Sequence, residues 1–280
     1  MIRLAAAATT VAFLSFTAAF AQEASSLSAA QLAPGDFSTQ SSGPAIGFTL
    51  RGGVAAKPSY SGSDDVEVGP DLGAELNYLR LGGFTFGNPD PLFRPEGLGV
   101  TGSFRYVPGR DDDDDSELEG LDDVAASLEL GAGLRYATDD YEVFGNVRYG
   151  VIGHEAWVGE LGADLFARPT DRLTLRAGPR AFFGDDDYAD TYYGVSSSES
   201  AASIAAARPD GSFAEYDPSG GLISTGVELG AGYRINENWG VDASLRYDRL
   251  RGDAADSPIV QRDEQVSASI GVTRRFTLGF

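Results

Sequence analysis

The sequence is poorest in the residues that do most protein chemistry. It holds no cysteine, one histidine and one methionine in 280 residues. Disulfides, thiol nucleophiles and thiolate metal sites are excluded. A lone His beside a lone Met leaves most zinc, haem and copper arrangements without donors, so neither a metal nor a cofactor is expected. Lysines are few, and positive charge is short overall: 21 Lys and Arg face 42 Asp and Glu, a formal charge of −21. A chain this acidic repels nucleic acid. Long apolar runs are missing too, since nothing beyond residue 21 is apolar for the length a membrane helix requires. Any crossing of a membrane must therefore use strands closed into a barrel, the other structure that satisfies its backbone in lipid.

The first 21 residues read as a secretory leader. Arg3 supplies the positive end, Leu4 to Ala18 the apolar core, and Ala19-Phe20-Ala21 a small-residue cleavage site. Losing Arg3 would leave the mature chain about one unit more negative. Residues 22–44, rich in Ser, Ala, Gln and Gly without periodicity, read as a disordered periplasmic lead-in. Residues 45–280 form the remaining domain.

Alternation organises that domain. At its end, Val266, Ala268, Ile270, Val272, Phe276, Leu278 and Phe280 share one face, while Gln265, Ser267, Ser269, Gly271, Thr273, Arg275, Thr277 and Gly279 share the other. A period of two sustained this long is a β-strand with one apolar and one polar side, the unit of a transmembrane antiparallel up-and-down β-barrel. The same period recurs upstream. Leu128, Leu130, Ala132, Leu134 and Tyr136 oppose Glu129, Gly131, Gly133 and Arg135; Leu173, Leu175, Ala177 and Phe183 oppose Thr174, Arg176, Gly178 and Arg180. A soluble sandwich also alternates. Charges of both signs at mid-strand favour the barrel, as does an interfacial girdle of Tyr136, Tyr149, Trp157, Tyr233, Trp239 and Tyr247. Ending on Phe280 resembles the C-terminal signature of bacterial outer-membrane proteins, and places the chain in the cell outer membrane. Arg274 is the dissenting residue. On the apolar face it must snorkel to the periplasmic interface.

Connections sort by length. Short turns at Thr138-Asp139-Asp140, Pro169-Thr170-Asp171 and Asn236-Glu237-Asn238 fall every second strand, and long segments at 108–123, 184–221 and 252–264 lie mostly between them. That is the outer-membrane arrangement, with the long acidic loops outside the cell. The count is ten strands if 72–86 is one strand bent at Gly82-Gly83. It is twelve if that stretch is two and another hides near 89–97. The prolines there favour ten.

Candidate chemistry is sparse. The acidic run Asp111 to Asp115 lacks the Gly and Glu positions of an EF-hand loop and reads as a solvated exterior loop, as does Asp185-Asp186-Asp187; loose divalent-cation or lipopolysaccharide contacts are the sharper alternative. His154 is the one possible histidine base, and no Gly-x-Ser-x-Gly elbow accompanies it, so the chain is not expected to be an enzyme. The inward-facing set Arg105, Glu129, Arg135, Arg148, Glu160, Arg176, Arg180, Glu228, Arg246 and Asp248 could line a solute path or pair across a narrow lumen. Eight-stranded barrels are just filled by side chains, whereas open channels need about sixteen strands, so pairing is favoured.

Two loop motifs carry a resemblance. Asp187-Tyr188-Ala189-Asp190-Thr191-Tyr192-Tyr193-Gly194-Val195-Ser196, with Glu199 and Tyr216, is similar to one hallmark of the MipA/OmpV family. Tyr247-Asp248-Arg249-Leu250 continuing to Asp253-Ala254-Ala255-Asp256-Ser257-Pro258-Ile259-Val260 resembles the other; Arg110 and Leu118 with Gly120-Leu121-Asp122-Asp123 also fit. The resemblance implies an outer-membrane barrel, named for a member thought to scaffold murein synthases and lytic transglycosylases, with other members described as adhesins, surface antigens or solute-linked proteins. It implies no catalytic residues. The expected role is a non-enzymatic envelope scaffold in contact with lipid and lipopolysaccharide, the rivals being a narrow solute pore and a surface adhesin. In the motif loops Tyr and Pro would fold a plug or cap, and Asp256-Ser257-Pro258 would set a turn.

Overall fold

The computed structural model of the chain describes residues 24–27, 43–88, 90, 96–110, 116–206 and 211–279; the expected leader and the acidic run at 111–115 lie outside the described residues. Twelve strands make one antiparallel sheet. They are β1 (Ala24–Leu27), β2 (Ala45–Pro58), β3 (Val66–Leu81), β4 (Phe84–Gly87), β5 (Gly97–Val107) and β6 (Ser127–Ala137). The remainder are β7 (Tyr141–Ile152), β8 (Trp157–Thr170), β9 (Leu173–Gly184), β10 (Gly221–Arg234), β11 (Trp239–Leu250) and β12 (Glu264–Gly279). Ten of them run 11 to 16 residues, enough to cross a bilayer when tilted; β1 and β4 have four each.

From β5 to β12 each strand pairs with the next, and β12 pairs with β2 from Ala268↔Ala56 to Gly279↔Ala45. β3 and β4 follow at one edge, and β1 flanks β5 at the other. β1 also lies against β3, so the sheet curls until its ends meet at a seam between β3 and β5.

The stretch read as one bent strand is a hairpin. β3 begins six residues earlier, and Leu81 faces Phe84 across a two-residue turn at Gly82-Gly83. Gly82 has φ of +58°, which a tight hairpin needs and which glycine adopts without strain. The twelfth strand is β1, inside the segment expected to be a disordered lead-in.

Polarity is inverted relative to a soluble protein. Val54, Leu134, Val147, Leu161, Leu229 and Ile270 each leave about half their surface uncovered on the outer face. Glu129 (0% exposed), Arg148 (3%) and Arg180 (4%) are buried inside. No soluble fold gains from that exchange; a barrel in hydrocarbon does.

The aromatic girdle is double. Tyr136 and Tyr141, 6.2 Å apart, sit with Tyr233 and Trp239 at the short-turn end; Tyr149 and Trp157, 5.1 Å apart, sit with Tyr247 at the other. Arg274 is in register with Trp239. Its guanidinium lies 5.0 Å from that ring and 4.8 Å from Phe276, so it rests on aromatic faces at the short-turn interface instead of in mid-hydrocarbon.

At the long-loop end fold α1 (Asp186–Tyr193), α2 (Ser197–Ala205) and α3 (Gly252–Asp256), with one turn of 3-10 helix at Ser116–Leu118. In Asp185-Asp186-Asp187 the last two are exposed, as expected of a solvated run, while the half-buried Asp185 has a structural role. Asp185 caps α1, accepting from the Tyr188 N–H at 3.0 Å and the Trp157 N–H at 2.8 Å, and Asp186 accepts from the Gly220 N–H.

The outer face should reject charge where the lumen welcomes it. Val147→Arg is expected to cost about 2–4 kcal/mol, near what a midplane Arg costs in such barrels. Urea titration of protein folded into lipid vesicles would measure it, and an unchanged midpoint would place Val147 away from lipid.

Candidate functional site

Every second residue of a strand points inward, so β5 to β11 deliver their charges to one lumen. Glu129 of β6 accepts from two guanidinium groups: Arg105 of β5 at 2.6 and 2.9 Å and Arg148 of β7 at 2.9 Å. Arg148 also reaches Glu160 of β8 at 3.2 Å and Ser103 at 3.0 Å. Across the lumen, Arg246 of β11 meets Glu160 at 3.4 Å, Glu228 of β10 at 4.0 Å and Asp248 at 2.5 Å. Glu228 continues to Arg180 and Arg176 of β9; Arg180 grips Asp164 with two bonds at 2.9 and 3.0 Å, and Arg176 lies 3.6 Å from the same carboxylate.

The result is one continuous ladder of alternating charge. Near the short-turn end Arg135 pairs separately with Glu142 at 3.0 Å, and Arg51 of β2 bridges Asp71 and Asp242. Burying a charge costs several kcal/mol unless it is matched, and here Glu129, Glu160, Asp164 and Glu228 each serve two or more cations.

A tyrosine cap closes the long-loop end. Tyr188 and Tyr192, on one face of α1, pack with centroids 4.7 Å apart, and Tyr188 meets Phe182 edge-on at 5.4 Å. Phe182 shares the inward parity of Arg176 and Arg180, and Arg105 lies 4.3 Å from its ring. Tyr193 is tied to Ser61 at 2.7 Å, and Tyr192 to Ser127 at 3.2 Å. Arg110 donates to the Tyr192 carbonyl at 3.1 Å and Ser257 to the Tyr193 carbonyl at 2.6 Å, so residues from three other connections converge on α1.

The remaining motif residues bind this cap together. Gly194 ends α1, and Val195 exchanges two backbone hydrogen bonds with Tyr216 at 2.9 Å. Tyr216 donates to the Asp253 carbonyl at 2.8 Å, and the Asp253 carboxylate accepts from Ser219. Ser257 and Val260 bracket a turn holding Pro258; Asp256 and Pro258 are exposed. Glu199 completes a capping box with Ser196 and accepts from the Asp122 N–H at 3.0 Å. Burial alone would raise its carboxyl; backbone N–H groups of Asp122 and Ser196 outweigh this and hold it below the ordinary value.

His154 belongs to the same joint. It is buried, 3.2 Å from Glu129 through Nε2, while Nδ1 accepts from the Ala156 N–H at 3.0 Å. That bond puts the proton on Nε2, facing the carboxylate. The ring stands edge-on to Tyr188 and Tyr192, so it links ladder to cap. Beside it Glu155 has φ of +51°, the one non-glycine residue with positive φ among those described. No group of three or more His, Asp or Glu among the described residues could hold a metal ion.

Two chambers remain. A cavity of about 350 Å³ lies toward the short-turn end, with Arg51, Asp71, Arg176 and Asp242 on its walls. Another, of about 260 Å³, lies between ladder and cap. Arg246 and Ser267 border both.

With this geometry in view, comparison with known proteins decides the family. The sequence profile of the family described as "MltA-interacting protein MipA" matches residues 50–276. The chain belongs to the MipA family. Escherichia coli K12 supplies two relatives: YiaT, named for the outer membrane, 28% identical over 170 residues, and the MltA-interacting protein, 28% identical over 177. Each match covers 59% of this chain and 63% of the relative. Among solved structures, an outer membrane channel of Pseudomonas putida F1 is similar over 88% of this chain and all of its own, at 13% identity and a TM-score of 0.40. The channel DcaP of Acinetobacter baumannii covers 85% and 99%, at 8% identity and 0.35. This MipA-family chain is an outer-membrane β-barrel.

Two outcomes follow. Glu129→Gln leaves two buried guanidinium groups short of a carboxylate and should cost about 3–5 kcal/mol, read by urea titration in detergent; a change below 1 kcal/mol would mean water reaches the ladder. Burial raises the hydroxyls of Tyr188, Tyr192 and Tyr193, the last to about 12 from an ordinary 10.0. The stability this contributes is complete below pH 10 and is lost as pH climbs toward 12. Tyrosinate absorbance and proteolysis of residues 185–206 should therefore change together in that interval, ahead of unfolding of the strands.

Proposed function

We propose that this barrel is a non-conducting, non-enzymatic scaffold of the outer membrane whose short-turn face receives a murein lytic transglycosylase. The observation that carries the reading is the ladder. Arg246–Glu160 spans the lumen between β11 and β8, and the chambers on either side end at it. A hydrated ion moving along the axis would have to break buried pairs made through several contacts each. The cap adds a second barrier, and its tyrosines are held by hydrogen bonds to three other connections. His154 has both ring nitrogens engaged in that joint, which argues against its serving as a histidine base.

The partner class rests on likeness to the MltA-interacting protein, over the 63% of that relative the match covers. A periplasmic enzyme would meet the turns at 138–140, 171–172 and 235–238, where Asp139, Asp171 and Glu237 are exposed. The chambers give the rival reading, a narrow solute path, its physical basis: they would connect if Arg246 swung aside.

Purified protein in planar bilayers should give no discrete current steps, and removing the cap alone should not create them, because the ladder remains. Steps from the intact protein would overturn the scaffold in favour of the pore. Photocrosslinkers at Asp139, Asp171 and Glu237 should capture a lytic transglycosylase in whole cells; capture of none would remove the assigned partner.

A further inference from the structure

The chamber between ladder and cap is charged oppositely to the protein around it. Of the described side chains that line it, Lys57, Arg105, Arg110 and Arg246 are cationic and Asp248 alone is a carboxylate, in a chain of net charge −21. Three of the cations are engaged: Arg105 with Glu129, Arg246 with Glu160 and Asp248, Arg110 with the Tyr192 carbonyl. Lys57 is different. It lies on the inward parity of β2 with Thr49 and Arg51, is half-buried, and makes no hydrogen bond or ion pair among the described residues. It is also the single lysine of the sequence, every other strong cation being arginine. Arginine suits a fixed planar pair, whereas an ammonium on a flexible stem can meet a guest from several directions.

Another part of the wall is aromatic and apolar. Phe182, Tyr188, Tyr192 and Tyr193 present ring surface, with Ile223 and Leu250 beside them. At about 260 Å³ the chamber falls just under the usual range for small-molecule sites, roughly 300–1,000 Å³, so the guest is small.

We propose that this chamber binds a small aryl carboxylate, its ring against the cap aromatics and its carboxylate on Lys57. A hydrocarbon of the same shape leaves the ammonium unanswered; a bare inorganic anion leaves the aromatic wall wet. The proposal is independent of the scaffold reading, because a closed barrel can hold a guest without conducting it.

The single lysine gives the assay. Reductive methylation of the full-length protein in detergent with carbon-13 formaldehyde labels one side chain, resolved from the terminal amine. Benzoate should move the dimethyl-Lys57 resonance saturably and one-to-one, and equilibrium dialysis of unlabelled protein should give the same affinity. Lys57→Gln should weaken benzoate roughly tenfold or more, as losing a charge-assisted contact does, while Lys57→Arg keeps most of it. Benzamide should not compete. No saturable binding at millimolar benzoate would overturn the proposal. So would equal binding by the Gln variant, or phosphate binding as tightly as benzoate. Arg249→Gln, on the exposed outer surface, should leave binding unchanged and shows whether a loss at Lys57 is merely loss of charge.

Discussion

A strand that separates lipid from a lumen has only one side on which a charge can survive. The architecture follows from that constraint. Hydrocarbon on the outer face admits Val, Leu, Ile and the interfacial aromatics, and forces Arg, Asp and Glu inward, where water is scarce. Once inside, they must satisfy one another, because a buried ion without a partner costs more than the fold can lose at many places. Glu129 with Arg105 and Arg148, and Glu228 with Arg176, Arg180 and Arg246, are how ten long strands solve this.

The cap extends the same logic to the open end. A mouth left uncovered would hydrate the upper rungs of the ladder and weaken every pair there. α1 carries Tyr188 and Tyr192 onto Phe182 and His154, and the surrounding loops fasten it through Ser61, Ser127, Ser257 and Arg110. His154 sits where the two systems join, one nitrogen toward Glu129 and one held by the Ala156 N–H. What reads in isolation as a possible general base is a spacer whose tautomer the backbone fixes.

Much of this was legible because a period of two is additive: each further Leu–Glu–Leu step in β6 strengthens the same conclusion. The inward set was legible for the same reason, by parity alone. Three things were hidden. Gly82-Gly83 is equally a kink or a turn until the register of Leu81 with Phe84 is known. The start of β3 was masked by Pro70 and Asp71, which signal a loop in sequence but lie opposite Val54 and Gly53 in the sheet. Phe182 escaped notice because an aromatic on the wet parity looks like an accident, though the cap needs a ring there. The Ser196…Glu199 spacing was a helix-start signal available in the sequence. The triple aspartate before it suggested only solvent. Which carboxylate serves which arginine could not be read, since Arg246 and Glu160 are 86 residues apart and meet only when the sheet curls.

The sharing of carboxylates within the ladder bears on how such a sequence can drift. An outward Val can become Leu or Ile with little penalty, since lipid imposes polarity without shape. A rung cannot be edited singly. Replacing Glu228 takes a shared carboxylate from three guanidinium groups at once, and restoring neutrality takes coordinated changes on β9 and β11. Lineages descending from this barrel should consequently vary freely on the side that touches the bilayer, and change within the lumen only in sets, in jumps that pass through poorly folding intermediates.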